Sequence, residues 1–347
     1  MPQSTTPPRL SPHTLELEEI LSGAVVVRIP LTVRFRGVSS REAVLVRGPQ
    51  GWGEFAPFLE YDDAEACAWW RSCLEAAWLG FPAPVRDRVP VNATVPAISA
   101  DRVPHLLDGY GDGITAVKVK VAESGQSLAE DVARVAAVRA HAPHAAVRVD
   151  ANQGWSAAQA VEALAVLCEY GLEYAEQPAA GIDGLYAVKE GLAARGVTLP
   201  IAADESVRKA DDPLEVARSG AADVIVVKVA PLGGVSRALE IVRAAGLPAV
   251  VSSAIDTSVG LSAGVALAAS LPQLPYACGL GTGTLLQRDV AHPPLKPQAG
   301  ALPVGSATVD PACLEKVLLE GARRQWWLQR IRRVHQLLMS QDSPARD

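Results

Sequence analysis

Ala116-Val-Lys-Val-Lys120, Ala146-Val-Arg-Val-Asp150, Glu173-Tyr-Ala-Glu176, Ile201-Ala-Ala-Asp204 and Val224-Ile-Val-Val-Lys228 decide how this chain reads. Each is a short β-branched or alanine-rich segment bounded by polar residues, the mark of a strand. Amphipathic stretches at Ser127–Ala140, Ala157–Tyr170, Pro213–Ser219 and Val235–Ala245 fall between them. Further strand candidates at Val91–Thr94, Ala249–Ser252 and Tyr276–Gly281 bring the strands to eight. Strand–helix alternation at this spacing predicts a parallel sheet. Eight units fit a closed, TIM-type (β/α) barrel better than an open doubly wound sheet, which stays the alternative.

The charges on these strands are the second signal. A parallel strand covered on both faces should be almost continuously apolar. Yet Lys118 and Lys120, at i and i+2, point to one side of the sheet. Asp150, Glu176 and Asp204 end three successive strands, and Lys228 interrupts the apolar run of the next. A lone strand-end Asp commonly caps a loop, and a lone strand lysine commonly pairs or reaches solvent. Six such groups on five strands are another matter, because buried charge is costly unless compensated. Three carboxylates at the C-terminal ends of barrel strands converge on the catalytic face. They call for a hard divalent cation such as Mg²⁺, and the lack of accompanying His or Cys disfavours zinc. A substrate carboxylate on that ion would have its neighbouring C–H acidified. A lysine can accept the proton if desolvation and nearby cations lower its pKa from about 10.4. Lys118 would be such a cation beside Lys120, and Lys228 would face the opposite side of the substrate.

The remaining composition narrows the classes. The 347 residues suffice for about two domains, and 49% apolar with 20% charged residues excludes a disordered chain. Net charge is 32 − 38 = −6, opposite in sign to a general nucleic-acid binder. Cys67, Cys73, Cys168, Cys278 and Cys313 contain no C-x-x-C pair, which argues against a disulfide framework and for a reducing compartment. The first twenty residues carry no apolar signal core and read as a flexible leader. Ser258–Ala277 comes nearest to a membrane span, but three serines and two prolines interrupt it. The expectation is a cytoplasmic protein with neither membrane nor nucleic acid as partner, and its oligomeric state stays open.

Residues 1–90 read as a separate α+β unit. Val25–Ile29, Leu31–Phe35 and Glu42–Val46 are strand candidates, Gly48-Pro-Gln-Gly51 is a turn before Trp52–Phe55, and Ala64–Leu79 is helical. The proline-broken segment Phe81–Pro90 separates this unit from a barrel at 91–289. The stretch 290–347 ends in a helix around Gln325–Met339. Its arginines flank Trp326 and Trp327, as on a membrane-surface helix. The simpler reading packs Trp327, Ile331, Val334 and Leu338 as one apolar stripe, with the arginines in water. The glycine-rich loop Gly279–Thr284 could cradle a phosphate or close the barrel with small residues.

Taken together, Lys118-Val-Lys120, Asp150-Ala-Asn-Gln-Gly-Trp155, Glu176-Gln-Pro178, Asp204-Glu-Ser206 and Lys228-Val-Ala-Pro-Leu-Gly-Gly234 resemble the enolase superfamily, in its muconate-lactonizing subgroup. The resemblance implies an α+β capping domain, built from the N-terminal segment and the returning C-terminal stretch, over the barrel mouth. It implies Asp150, Glu176 and Asp204 as Mg²⁺ ligands, Lys120 as acid/base tuned by Lys118, and Lys228 opposite as second base or electrostatic stabiliser. Asn152 and Glu205 would orient the ligands or merely stabilise their loops. Ser252 and Ser253 would bind a substrate carboxylate or cap the following helix. Arg34-Phe-Arg-Gly37, Arg41-Glu42, Gly53-Glu-Phe-Ala-Pro57 and Val251–Gly260 resemble the subgroup's dehydratases. These imply dehydration of a succinyl-bearing hydroxycyclohexadiene carboxylate in menaquinone biosynthesis, with capping segments between Gly37 and Phe58 closing over it. Position 230 is Ala and the loop Cys278–Thr284 lacks a carboxylate, so a substrate ammonium would find no partner. An N-acylamino acid racemase or cycloisomerase is the alternative on the same scaffold. A non-catalytic barrel binding an acidic metabolite is the alternative of another kind.

Overall fold

The computed structural model describes residues 16–35, 37–207 and 212–342. Most of the expected leader, Arg36, and residues 208–211 fall outside them. After a short α1 (Leu17–Ser22), the chain forms an antiparallel sheet ordered β1 (Val25–Phe35), β2 (Val38–Gly48), β3 (Gly51–Phe55). The two strands expected before residue 35 are one, because Pro30 sits on an edge strand and the register shifts beyond it. α2 (Asp63–Leu74) follows, capped by the Asp62 carboxylate accepting from the Glu65 amide at 2.7 Å, and it continues as a π-turn over Glu75–Leu79. Trp69 and Trp70 are buried, and Trp70 meets Phe55 edge to face at 5.7 Å.

β4 (Arg88–Pro90) leads into the barrel. Seven parallel strands follow in spatial order: β5 (Ala93–Val95), β6 (Ala116–Lys120), β7 (Ala146–Asp150), β8 (Leu172–Glu176), β9 (Ile201–Ala203), β10 (Val224–Lys228) and β11 (Ala249–Ser252). Between them run α3 (Val103–Asp108), α4 (Leu128–His141), α5 (Ala157–Leu167), α6 (Gly181–Ala194), α7 (Asp212–Ser219), the single turn α8 (Val229–Leu232) and α9 (Val235–Ala245). Ser127 with Glu130 and Ser156 with Gln159 form capping boxes that start α4 and α5. The eighth strand expected at Tyr276–Gly281 shrinks to two bridges, Cys278 to Val91 and Gly279 to Ser252. These still join β11 to β5: the Asn92 amide donates to Cys278 O at 2.9 Å and the Gly279 amide to Val251 O at 2.8 Å. A Cβ on Gly279 would lie 2.6 Å from Ser252 Oγ, and one on Gly281 2.7 Å from Asn92 O. The glycine-rich loop therefore serves barrel closure.

The apolar run from Ser258 becomes α10 (Ser258–Ser270), buried almost all round between barrel and cap. No described helix is long and apolar enough to cross a membrane. The stretch after residue 289 divides. β12 (Ala301–Pro303) pairs antiparallel with β4, and Leu302 and Val89 share the barrel's buried cluster. After α11 (Pro311–Glu315), α12 (Gly321–Asp342) packs on the cap, with Trp327, Ile331, Val334 and Leu338 in one buried cluster with Phe55 and Trp70. That is the packed-stripe reading, with one correction. Arg330 is not in water but 2% exposed, donating to Tyr61 O and to the Asp63 carboxylate. No disulfide joins any of the five cysteines.

Candidate active site

Parallel register puts the charged residues in layers across the barrel interior. Lys118 pairs with Arg148 and Arg148 with Tyr174; two residues on, Lys120 pairs with Asp150 and Asp150 with Glu176. The intervening Val117, Val119, Val147 and Val149 point outward into the helix-facing core. Asp204 lies just past β9, and Lys228 at the end of β10 pairs with Ser252. The upper layer thus gathers the residues assigned to chemistry except Lys118, which stands one layer below and reaches up to Glu176.

Lys118 Nζ donates to Glu176 Oε1 at 2.7 Å and lies 3.1 Å from Asp150 Oδ2. Lys120 Nζ donates to Asp150 Oδ2 and to Asn152 Oδ1, and Lys228 Nζ to Asp204 Oδ1. Asn152, in the left-handed region at φ +43, donates onward to Glu205 Oε1 at 3.0 Å. Asn152 and Glu205 therefore bridge from the acid/base candidate to the β9 loop. Gln177, which carried no role in the sequence, is the other organiser. Its Oε1 accepts from the Asp204 and Ser206 amides at 2.9 and 3.1 Å, and its Nε2 donates to Ala179 O and Ser206 Oγ, both at 2.9 Å. It ties two of the carboxylate-bearing loops together.

Burial pushes the Glu176 carboxyl up to about 8, reinforced by Asp150 and Asp204 and opposed by Lys118. Burial would also raise Asp150, but Lys120 and Lys118 outweigh it and hold that carboxyl far below its ordinary range. For Lys118, burial works against the ammonium, yet Glu176 and Asp150 raise its pKa above normal. Lys118 is therefore a firm cation, as a residue that tunes Lys120 should be.

A divalent ion fits these residues on two grounds. Glu176 Oε2 is buried with no hydrogen-bond partner, an unfavourable state for a carboxylate oxygen that a cation would relieve. The donor set is three carboxylates within electrostatic reach of one another, the oxygen-only chemistry of Mg²⁺. Among the described residues no three acidic, His or Cys side chains close round a single point; the lysine ammoniums stand between the carboxylates instead.

A cavity is lined by Lys118, Lys120, Asp150, Asp204, Lys228, Ser252 and Ser253. The serines do not cap the next helix: Thr257 does, accepting from the Val259 amide at 3.2 Å. Ser252 and Ser253 hydroxyls lie 3.4 and 3.3 Å from Gly279 O, and Ser253 Oγ meets Thr282 Oγ1 at 2.6 Å. An adjoining space beside Lys228 and Asp204 is lined by Phe58, Tyr61 and Trp69 of the cap. The cap's contribution therefore extends past the expected limit at Phe58.

Of the layer beneath the site, only Lys118 had a place in the sequence reading. Arg148 is buried, with Cζ 4.8 Å over the Tyr174 ring, and donates to Glu173, to Ala277 O at 2.6 Å and to Asn92 Oδ1 at 3.3 Å. The signal was present: Arg148 precedes Asp150 by two residues, as Lys118 precedes Lys120.

Comparison with known proteins supports this architecture. Residues 26–77 match the family described as enolase N-terminal domain-like, and residues 104–308 the one described as enolase C-terminal domain-like. The chain is 55% identical over 323 residues to an o-succinylbenzoate synthase of Mycolicibacterium smegmatis, covering 93% of this chain and 98% of that one. It is 53% identical to the protein of that name from Mycobacterium leprae, over 93% and 94% of the two chains. Among solved structures it resembles muconate lactonizing enzyme from Pseudomonas putida (TM-score 0.68, 22% identity, 85% of this chain and 98% of that one). It also resembles the L-Ala-D/L-Glu epimerase of Bacillus subtilis (TM-score 0.70, 24% identity, 86% and 98%). At these identities the two structures speak for the fold alone.

Proposed function

The chain belongs to the enolase superfamily, and we propose that it catalyses the reaction for which its relatives are named, o-succinylbenzoate synthesis. Water is removed from a succinyl-bearing hydroxycyclohexadiene carboxylate to leave the aromatic product, a step toward menaquinone. The observation that carries this reading is that Lys120 and Lys228, on strands four apart round the barrel, line one cavity with Lys118 and the Asp150 and Asp204 carboxylates.

Asp150, Glu176 and Asp204 would hold the divalent cation, taken as Mg²⁺, which when bound supplies positive charge to the substrate carboxylate and acidifies the adjacent C–H. Lys120 Nζ takes that proton and returns it to the hydroxyl leaving from the same ring face, so that proton and hydroxide depart as water. Lys118 stays protonated beneath it, and Asn152 orients the Lys120 amine. Lys228 presents its ammonium to the other ring face, a contact of about 0.5–2 kcal/mol with a developing aromatic system. Ser252 and Ser253 offer hydroxyls to a substrate carboxylate. Five cysteines without a disulfide suit a reducing, cytoplasmic setting.

Turnover of the cyclohexadiene carboxylate, with and without Mg²⁺, tests the proposal. Dehydration that requires the ion and disappears in Lys120→Ala is expected; no dehydration by the native protein would refute it. Lysines on both faces also suit two-base racemisation of an N-acylamino acid. Rapid loss of the α-proton of one enantiomer in D₂O, without dehydration of the diene, would put that reading first. A protein that bound the acid and turned over neither substrate would be the non-catalytic barrel.

A further inference from the structure

Two pieces of sequence take no part in this chemistry: Arg41 with Gly53-Glu-Phe-Ala-Pro57 of the cap, and Ile255–Gly260 of the barrel. They meet. Arg41 on β2 is 5% exposed; it donates to Ala56 O at 2.5 Å and to Ile255 O at 3.3 Å, with its guanidinium carbon 4.2 Å over the Phe58 ring. Glu54 on β3 crosses to the start of α10, accepting from the Thr257 and Gly260 amides at 3.2 Å and from the Thr257 hydroxyl. A Cβ on Gly260 would stand 2.9 Å from the Glu54 carboxyl carbon, so a glycine there is what admits the carboxylate.

Between these two anchors lies Ile255, a β-branched residue at φ +61. That conformation is unfavourable and persists only where the surroundings over-determine it. Its side chain is buried in the cap's own core with Ile29, Ala43, Leu45 and Ala56. Yet Ile255 also lines the catalytic cavity, next to Ser252, Ser253 and Ala254. Asp256 braces the turn, accepting from the Ala254 amide at 3.1 Å. Burial, helped by Asp256, pushes Glu54 up to about 8, so that an uncharged side chain can take its place.

We propose that Arg41 and Glu54 are positioning residues: from the capping domain they clamp the barrel loop 253–257 in its strained form and thereby set the cavity wall that receives the substrate. The clamp rests on the dehydratase reading only where substrate kinetics are measured.

The test uses the full chain with Glu54→Ala and Glu54→Gln, reading kcat and KM separately together with amide hydrogen exchange at 253–257. Expected for Glu54→Ala is a KM raised roughly tenfold, kcat within about threefold, and exchange at 253–257 at least about tenfold faster. Glu54→Gln should bring both readouts back to within about threefold of the parent, since its amide oxygen still accepts from the loop. If Glu54→Ala does not fold, Thr257→Val against Thr257→Ser decides, the valine shifting both readouts and the serine neither. Lowered thermal stability with unchanged KM and unchanged exchange at 253–257 would overturn the clamp and leave the cluster a stabiliser of the fold. Should the native protein not dehydrate the diene, the dehydratase reading fails. The exchange comparison, made without substrate, still decides the clamp.

Discussion

The layer of Lys118, Arg148 and Tyr174 and the layer of Lys120, Asp150 and Glu176 come from the same three strands, two residues apart. Both put charge inside a barrel, but they settle it differently. Beneath, Arg148 is closed on itself, with Glu173, Asn92, a carbonyl and the Tyr174 ring as partners. Above, burial, reinforced by Asp150 and Asp204, holds Glu176 up to about 8, an oxygen of Glu176 has no donor, and a cavity opens alongside. A buried charge whose partners are all internal is scaffold, whereas one with an open acceptor beside a cavity is a site. Lys118 joins the two, standing in the lower register and pairing upward with Glu176.

Substitutions can break this contrast. The largest effect is expected for Lys120→Ala: turnover should fall by about 10³-fold or more, with the circular dichroism spectrum and thermal midpoint near those of the parent. Near-normal turnover would remove Lys120 as the acid/base. Arg148→Met should do the reverse. Leaving Glu173 without its partner should cost about 3 kcal/mol of stability in denaturant titration, less whatever Glu173 regains as a partly exposed group, while kcat of the folded fraction stays within a fewfold. A large kcat loss without loss of stability would place Arg148 among the functional residues. Glu176→Gln should need roughly 10–100-fold more Mg²⁺ for half-maximal activity, read by titrating turnover against the ion. Tyr174→Phe should be the smallest change. Its buried hydroxyl has no partner, so deletion should leave the thermal midpoint unchanged or slightly raised. A drop of several degrees would reveal a partner for that hydroxyl.

Much of the barrel was legible because its strands break the rule they should obey. Charges at Lys118, Lys120, Asp150 and Lys228 stand out against valine and isoleucine, and β6, β7 and α9 begin and end where the pattern places them. Gln177 and Arg148 escaped notice because a single polar residue reads the same whether it organises a site, fills a barrel or faces water. The eighth stave was over-read for a related reason. Residues 276–281 have strand-like text, but Gly279 and Gly281 leave room only for close backbone passage past Ser252 and Asn92. Pro30 misled in the other direction, since whether a proline ends a strand depends on whether that strand is an edge.

Local sequence determined the alternation of strand and helix, the polarity of each strand face, and hence which carboxylates and amines share the barrel interior; side-chain direction follows backbone periodicity, which few residues suffice to set. Only the tertiary structure decided that Arg41 and Glu54 reach the loop at Ile255, that β12 pairs with β4, and that Arg330 is buried against Asp63. Those pairings join residues more than two hundred positions apart. Their energy depends on distance and desolvation in three dimensions, quantities that adjacent letters do not carry.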